Sequence, residues 1–108
     1  MIWLKKAKSI LAAFAAGGAD EVEDSLESWT EYESAAGRFC GYEIGEHLIR
    51  QYGECEVSYE VARSAYNDKI IFLETTQKVK KGKSTTMTPE VHIFEFDNYG
   101  KVKFWRVY

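Results

Sequence analysis

The last seventeen residues constrain the fold of this chain more than any other segment. They run from His92 to Tyr108 and contain two stretches in which apolar residues alternate with other residues, separated by Asp97-Asn98-Tyr99-Gly100. A period of two is typical of β-strands, and a short segment with Asn and Gly favours a tight turn. The segment therefore predicts an antiparallel pair of strands.

The residues before this pair extend it into a meander. Apolar and polar residues alternate over 57–61, and the turn residues Asn67-Asp68 lead into a further strand over 70–79. The next strand is expected over 84–96, after a lysine-rich turn, with an interruption at Pro89 because proline has no N–H for a ladder. Four consecutive strands joined by tight turns predict an antiparallel sheet.

Upstream of residue 54, apolar residues recur at helical spacing instead. One helix is predicted up to Gly17-Gly18, a short second helix ends near residue 27, and a third ends at Gly53. Residues 29–39 are expected to form a short strand and loop. We therefore predict one α+β domain over 1–108, with three N-terminal helices (about 2–53) packed on a strongly curved antiparallel sheet (about 54–108) that forms a cone-shaped roll.

Composition narrows the classes of partner. Hydrophobic residues make up 45% of the chain and aromatic residues 15%, which is more aromatic than a minimal core needs, so aromatics are expected to line either a pocket or a subunit interface. A net charge of −3 argues against nucleic acid or an anionic membrane as a partner. The N-terminal lysines and alanines have the order of a signal peptide, but their helical periodicity favours a core helix. We therefore expect a cytoplasmic protein.

Cysteine and histidine are too sparse to predict a metal site. Cys40 and Cys55 do not make a disulfide framework, and neither His47 nor His92 has a second potential ligand nearby in sequence. We expect reduced thiols, no metal and no cofactor, and a solvent-facing position for His47 on the third helix.

Apolar residues on both faces of the sheet predict a partner. Ile70 and Phe72 alternate with Ile71 and Leu73, so each face of that strand is partly apolar. A sheet covered by helices on one face normally leaves the other face polar. We therefore expect a homodimer formed through the outer sheet face, and we assign Ile93 and Trp105 to that face.

The arrangement resembles a known superfamily. The matching features are Ala16-Gly17-Gly18-Ala19-Asp20 after helix one, Phe39-Cys40-Gly41 before helix three, and Phe96-Asp97 followed by Gly100-Lys101-Val102 and Trp105-Arg106-Val107-Tyr108. With these features, the sequence resembles the SnoaL-like branch of the nuclear-transport-factor-like (cystatin-like roll) proteins. The resemblance implies an apolar cone with a few polar side chains and acid–base chemistry of an isomerase, cyclase or hydrolase type on a hydrophobic, oxygenated substrate. The superfamily also contains non-catalytic binding and adaptor modules, so that alternative stays open.

The resemblance places candidate residues on this sequence. His92 falls about where ketosteroid isomerase holds its protonated aspartate, and Glu31 or Glu33 falls near the general-base position. His92 also shares strand parity with Phe94 and Phe96, so its imidazole is either an acid–base catalyst or a buried neutral side chain. The aromatic residues expected to bind a ligand are Trp29, Tyr32, Tyr59, Phe72 and Phe94. Tyr32 points opposite to both glutamates if its segment is extended.

Overall fold

The computed structural model describes residues 2–17 and 19–108, without the side chains of 19–21. Its helices are α1 (Ile2–Ala15), α2 (Ala19–Asp24) and α3 (Glu43–Tyr52), and its strands are β1 (Leu26–Ser34), β2 (Gly37–Cys40), β3 (Glu56–Asn67), β4 (Ile70–Lys81), β5 (Ser84–Phe96) and β6 (Val102–Val107). The three predicted helices and the four-stranded meander are confirmed.

Two helix boundaries bear on the predictions. After α1, Gly17 has a φ of 78°, the left-handed conformation expected of a residue that ends a helix, whereas Gly18 lies outside the described residues. The second helix ends at Asp24 and not near residue 27, because β1 begins at Leu26. The segment predicted as a short strand and loop is the β1–β2 hairpin.

The six strands form one mixed sheet in the order β2-β1-β6-β5-β4-β3. The meander from β3 to β6 is antiparallel throughout, as predicted. The hairpin adds to its edge, with β1 parallel to β6 and Tyr32 opposite Trp105. The chain is therefore an α+β fold of three helices on a six-stranded sheet, in agreement with the predicted class.

Strand β5 does not break at Pro89. Pro89 pairs with Thr76 of β4 inside a continuous thirteen-residue strand. On its other side, β5 is first bonded at Val91, which exchanges two backbone hydrogen bonds with Tyr108. Among the described residues, β5 therefore has a free edge before Val91, next to the proline. Proline is tolerated there because a free edge leaves no N–H···O bond to be lost.

All three helices cover one face of the sheet, which we call the inner face. The core contains Ile10 of α1, Val22 of α2, Ile44 of α3, Leu73 of β4 and Phe94 of β5, all 3% exposed or less. Alternation along β4 and β5 sends every second residue into this core.

The opposite, outer face carries a partly exposed apolar patch. Cross-strand pairing places its members side by side; they are Ile70, Phe72, Val91, Ile93 and Phe104. The assignment of Ile93 to this face is confirmed, but that of Trp105 is wrong: Trp105 lies opposite Phe94, shares its face and is 1% exposed. The register between β5 and β6 shifts after Glu95. Counting alternate residues across the turn therefore assigns the residues of β6 to the wrong face.

Candidate active site

The polar side chains of the inner face gather near the middle of β5. Glu90, His92 and Phe94 alternate along the strand and point to the inner face, and His92 lies opposite Leu73 and Val107 on the neighbouring strands. His92 is 1% exposed, and the side chain of Glu90 is 13% exposed. The two residues thus bring a carboxylate and an imidazole into the apolar interior.

Both ring nitrogens of His92 have partners. The indole Nε1–H of Trp105 donates to Nδ1 at 3.1 Å, and Nε2 lies 2.9 Å from Oε1 of Glu90. An indole can only donate, so Nδ1 accepts. In the neutral imidazole the proton is then on Nε2, which donates to the carboxylate. The chain of bonds runs from Trp105 through His92 to Glu90, and it orients the carboxylate.

Tyrosine side chains pack next to this chain of hydrogen bonds. The ring of Tyr59 stands perpendicular to that of His92, with 5.4 Å between centroids, and its hydroxyl accepts a hydrogen bond from Gln77 Nε2 at 3.0 Å. On the other side, the ring of Tyr32 packs edge-on against Trp105 at 5.0 Å. The phenol of Tyr52 also lies near Gln77 and Glu90. Together these side chains form a polar cluster of Tyr32, Tyr52, Tyr59, Gln77, Glu90, His92 and Trp105.

The environment keeps the phenols protonated. Burial raises the pKa of Tyr32 to about 12. It likewise raises the pKa of Tyr59 well above its usual value, against the opposing hydrogen bond from Gln77, and it raises the pKa of Tyr52. The negative charge of Glu90 adds to the rise in all three. The carboxylate is thus within electrostatic reach of three neutral phenols, each able to donate a hydrogen bond.

Two clefts meet this cluster from outside. The first, the Glu90 cleft, has a volume of about 190 Å³ and is lined by Tyr32, Tyr52, Glu90, Val107 and Tyr108, among others. The second has a volume of about 330 Å³ and lies between the end of α1 and α3, where Phe14 and Leu48 line it. Tyr52 lines both clefts, whereas His92 lines neither. A molecule in the Glu90 cleft would therefore meet the carboxylate before the imidazole.

The predicted site residues divide between the two faces. His92, Tyr32, Tyr59 and Phe94 lie together on the inner face, Tyr32 and Phe94 on either side of the Trp105 ring at 5.0 and 4.9 Å. Phe72 is 38% exposed on the outer face, opposite Ile93.

The predicted glutamates and Trp29 lie away from the cluster. Glu31 is exposed, and Glu33 pairs with Arg38 at 3.0 Å and Arg106 at 3.6 Å. They alternate with the buried Tyr32, as the extended reading of that segment required. Trp29 is 48% exposed. None of the three joins the polar cluster, so their predicted roles gain no geometric support.

Sequence reasoning missed Glu90, Gln77, Tyr52 and Trp105. Glu90 is two residues before His92 in β5, and Gln77 is two residues after Thr75 in β4. Alternation along each strand therefore places both on the inner face, and this signal was available in the sequence.

His47 was predicted to face the solvent, and this prediction is wrong. His47 is 9% exposed, and its ring stacks on Phe39 with centroids 4.0 Å apart. Burial lowers the pKa of His47, with a further contribution from Arg50. Its Nε2 has no hydrogen-bond partner among the described residues, which suits a neutral ring packed between helix and hairpin.

The described residues hold neither a metal-binding cluster nor a membrane-spanning helix. No group of three or more His, Cys, Asp or Glu side chains there could hold a metal ion. No helix in the same residues is both long and apolar enough to cross a membrane.

No protein-family model and no curated protein matches the chain by sequence. Solved structures do match its fold. An epoxide hydrolase of the LEH-like type from M. tuberculosis superposes with a TM-score of 0.87 at 21% identity, covering 98% of this chain and 80% of the other. A putative SnoaL-like polyketide cyclase from Shewanella putrefaciens superposes with a TM-score of 0.91 at 12% identity, covering 100% of this chain and 79% of the other.

A third match, an NTF2-like protein of unknown function from Burkholderia pseudomallei, has a TM-score of 0.83 at 14% identity and covers 98% of this chain and 88% of the other. Identities this low carry the fold and not the activity. The resemblance stated from the sequence is therefore confirmed at the level of the fold: the chain has the α+β fold of these SnoaL-like and NTF2-like structures.

Proposed function

We propose that the chain binds a small organic molecule at the mouth of the cone and that Glu90 acts on it as a proton acceptor. The hydrogen-bonded chain Trp105–His92–Glu90 carries this proposal. A carboxylate oriented by a histidine, at the edge of a cleft and surrounded by neutral phenols, has the parts of a general base with nearby hydrogen-bond donors.

Glu90 and His92 have different roles in this proposal. Both nitrogens of His92 are engaged, so we assign it to positioning the carboxylate. Oε2 of Glu90 has no hydrogen-bond partner among the described residues, and it is the oxygen available to a ligand. A proton would pass from a ligand C–H to this oxygen and return at another carbon, while a phenol of the cluster donates to the ligand oxygen that gains charge. That sequence is an isomerisation, and a cyclase or hydrolase would use the same base.

Hydrogen–deuterium exchange tests the proposal directly. Small ketones and aldehydes with acidic C–H bonds are incubated with the protein in D₂O, and loss of the C–H signal is followed by NMR. Glu90→Gln keeps the shape and an acceptor for His92, so we expect it to fold and to lose catalysed exchange. Glu95→Gln removes the same charge from the outer face of the same strand and should leave exchange unchanged. Exchange of equal rate in wild type and Glu90→Gln would refute the role of the base.

A second function is favoured by the outer face: a dimeric binding or adaptor module without catalysis. The apolar patch of Ile70, Phe72, Val91, Ile93 and Phe104 is partly exposed, with Phe72 at 38%, and apolar patches of this kind mark interfaces. We propose a homodimer through this face. Sedimentation at micromolar concentration should give a dimer, and Phe72→Glu should give a monomer with an unchanged circular dichroism spectrum. A wild-type monomer would remove the support for this interface.

A further inference from the structure

We infer that the Glu90 cleft takes a small organic cation, a quaternary or protonated amine whose positive charge lies beside the Glu90 carboxylate. The inference rests on the proposed function, since it concerns the same cleft, and it adds the chemical class of the ligand.

The charge balance of the cleft is the first argument. Glu90 is the one charged side chain among the residues that line it; no lysine or arginine is present there. Its closest polar partner is His92, which donates through Nε2 as a neutral ring because Trp105 occupies Nδ1. A carboxylate with 13% of its side chain exposed thus has hydrogen bonding but no countercharge in the described part of the chain. A buried charge without a partner is costly, and a cationic ligand beside it offsets part of that cost.

The aromatic lining is the second argument. Tyr32, Tyr52 and Tyr108 line the same cleft as the carboxylate. The faces of tyrosine rings attract cations, and rings grouped around an ammonium are the known way in which proteins bind it. Phenols kept neutral by burial can take this role, whereas phenolates would bring further buried negative charge.

Size limits the ligand. A volume of about 190 Å³ corresponds to about six water molecules at their liquid volume. Ala35, Ala36 and Val107 form apolar wall beside the rings, which suits methyl groups on nitrogen. A positive charge also acidifies C–H bonds next to it, so the same placement serves proton abstraction by Glu90.

A pair of ligands that differ only in charge tests the inference. Choline and 3,3-dimethyl-1-butanol have nearly the same shape, but choline carries a quaternary nitrogen where the alcohol carries a carbon. Binding is measured by NMR titration of the protein at fixed ionic strength. We expect choline to bind wild type at least about tenfold more tightly, a difference of about 1.4 kcal/mol.

Two variants test whether the preference for choline depends on the Glu90 carboxylate. Glu90→Gln should abolish the preference for choline and leave the alcohol's affinity within a factor of about two. Glu95→Gln lowers the net negative charge equally on the outer face and should keep the preference, which excludes general attraction to an acidic protein. Shifted resonances should include Tyr32 and Tyr52.

Each other outcome overturns the inference. If the alcohol binds wild type as tightly as choline, the cleft takes small molecules without selecting a cation, so the inference fails and the proposed function stands. A choline preference that survives Glu90→Gln also refutes it. If neither ligand binds at millimolar concentration, both the inference and the assignment of this cleft as the ligand site fail.

Discussion

Replacing Trp105 by phenylalanine tests the central bond of the polar cluster. Trp105 is 1% exposed, and its indole N–H is the only described side-chain partner of His92 Nδ1. Phenylalanine keeps an aromatic ring against Phe94 and Tyr32 but cannot donate. The substitution therefore leaves a buried nitrogen of His92 without its hydrogen bond.

The expected loss of stability has two parts. A buried acceptor left unsatisfied costs about 1–3 kcal/mol. The smaller ring forfeits roughly 1 kcal/mol of apolar burial and packing. We expect the free energy of unfolding to fall by about 3 kcal/mol, measured by urea denaturation followed by far-UV circular dichroism. Trp29→Phe, at a 48% exposed position, is the control and should change stability by less than about 1 kcal/mol.

A double-mutant cycle separates the hydrogen bond from the ring volume. In a His92→Leu background the acceptor is gone, so Trp105→Phe should cost only about 1 kcal/mol, which makes the coupling energy about 2 kcal/mol. In the wild type, long-range ¹⁵N NMR of the neutral His92 ring should find the proton on Nε2. A coupling energy below about 0.5 kcal/mol, or a proton found on Nδ1, would refute the proposed chain of bonds.

Three further predictions concern protonation and packing. Because the pKa of Tyr32 is raised from 10.0 to about 12, its neutral phenol stabilises the folded state fully below pH 10, and this stabilisation of about 3 kcal/mol is lost as the pH rises to about 12. In urea denaturation over this pH range, the free energy of unfolding should fall less steeply for Tyr32→Phe than for wild type. The exposed control Tyr99→Phe should show the wild-type slope. Because the pKa of His47 is lowered, its neutral ring favours the folded state above pH 6.5, and stability should fall as the pH drops below that value; thermal melts of His47→Phe should show a weaker dependence, and an identical dependence would contradict its burial as a neutral ring. Leu73→Ala, at a fully buried position, should cost about 2–5 kcal/mol, whereas Phe72→Ala at 38% exposure should cost about 1 kcal/mol or less in denaturant unfolding; equal costs would contradict the assignment of faces.

The class of the fold follows from local sequence patterns. Helical spacing before residue 54 and a period of two after it are local patterns, and each follows from the burial of one face of one element. Tight turns at Asn67-Asp68 and after Asp97 then forced consecutive strands to pair. His92 could be placed on the inner face for the same reason, since alternation within one strand needs no knowledge of its neighbours.

Which side chains meet in the site depends on how the strands pair. Trp105 reaches His92 because β6 pairs with β5 in a register that places it opposite Phe94, and the shift in register after Glu95 changes the parity expected from the turn. Glu33 lies on the outer face because of the way β1 pairs with β6, and its position in the sequence does not predict this pairing. The parallel pairing of β1 with β6 brings Tyr32 to the cluster from a segment more than seventy residues away. Register and strand order are set by long-range packing of the whole sheet, so the carboxylate, the imidazole and the indole become one site only when the sheet has formed.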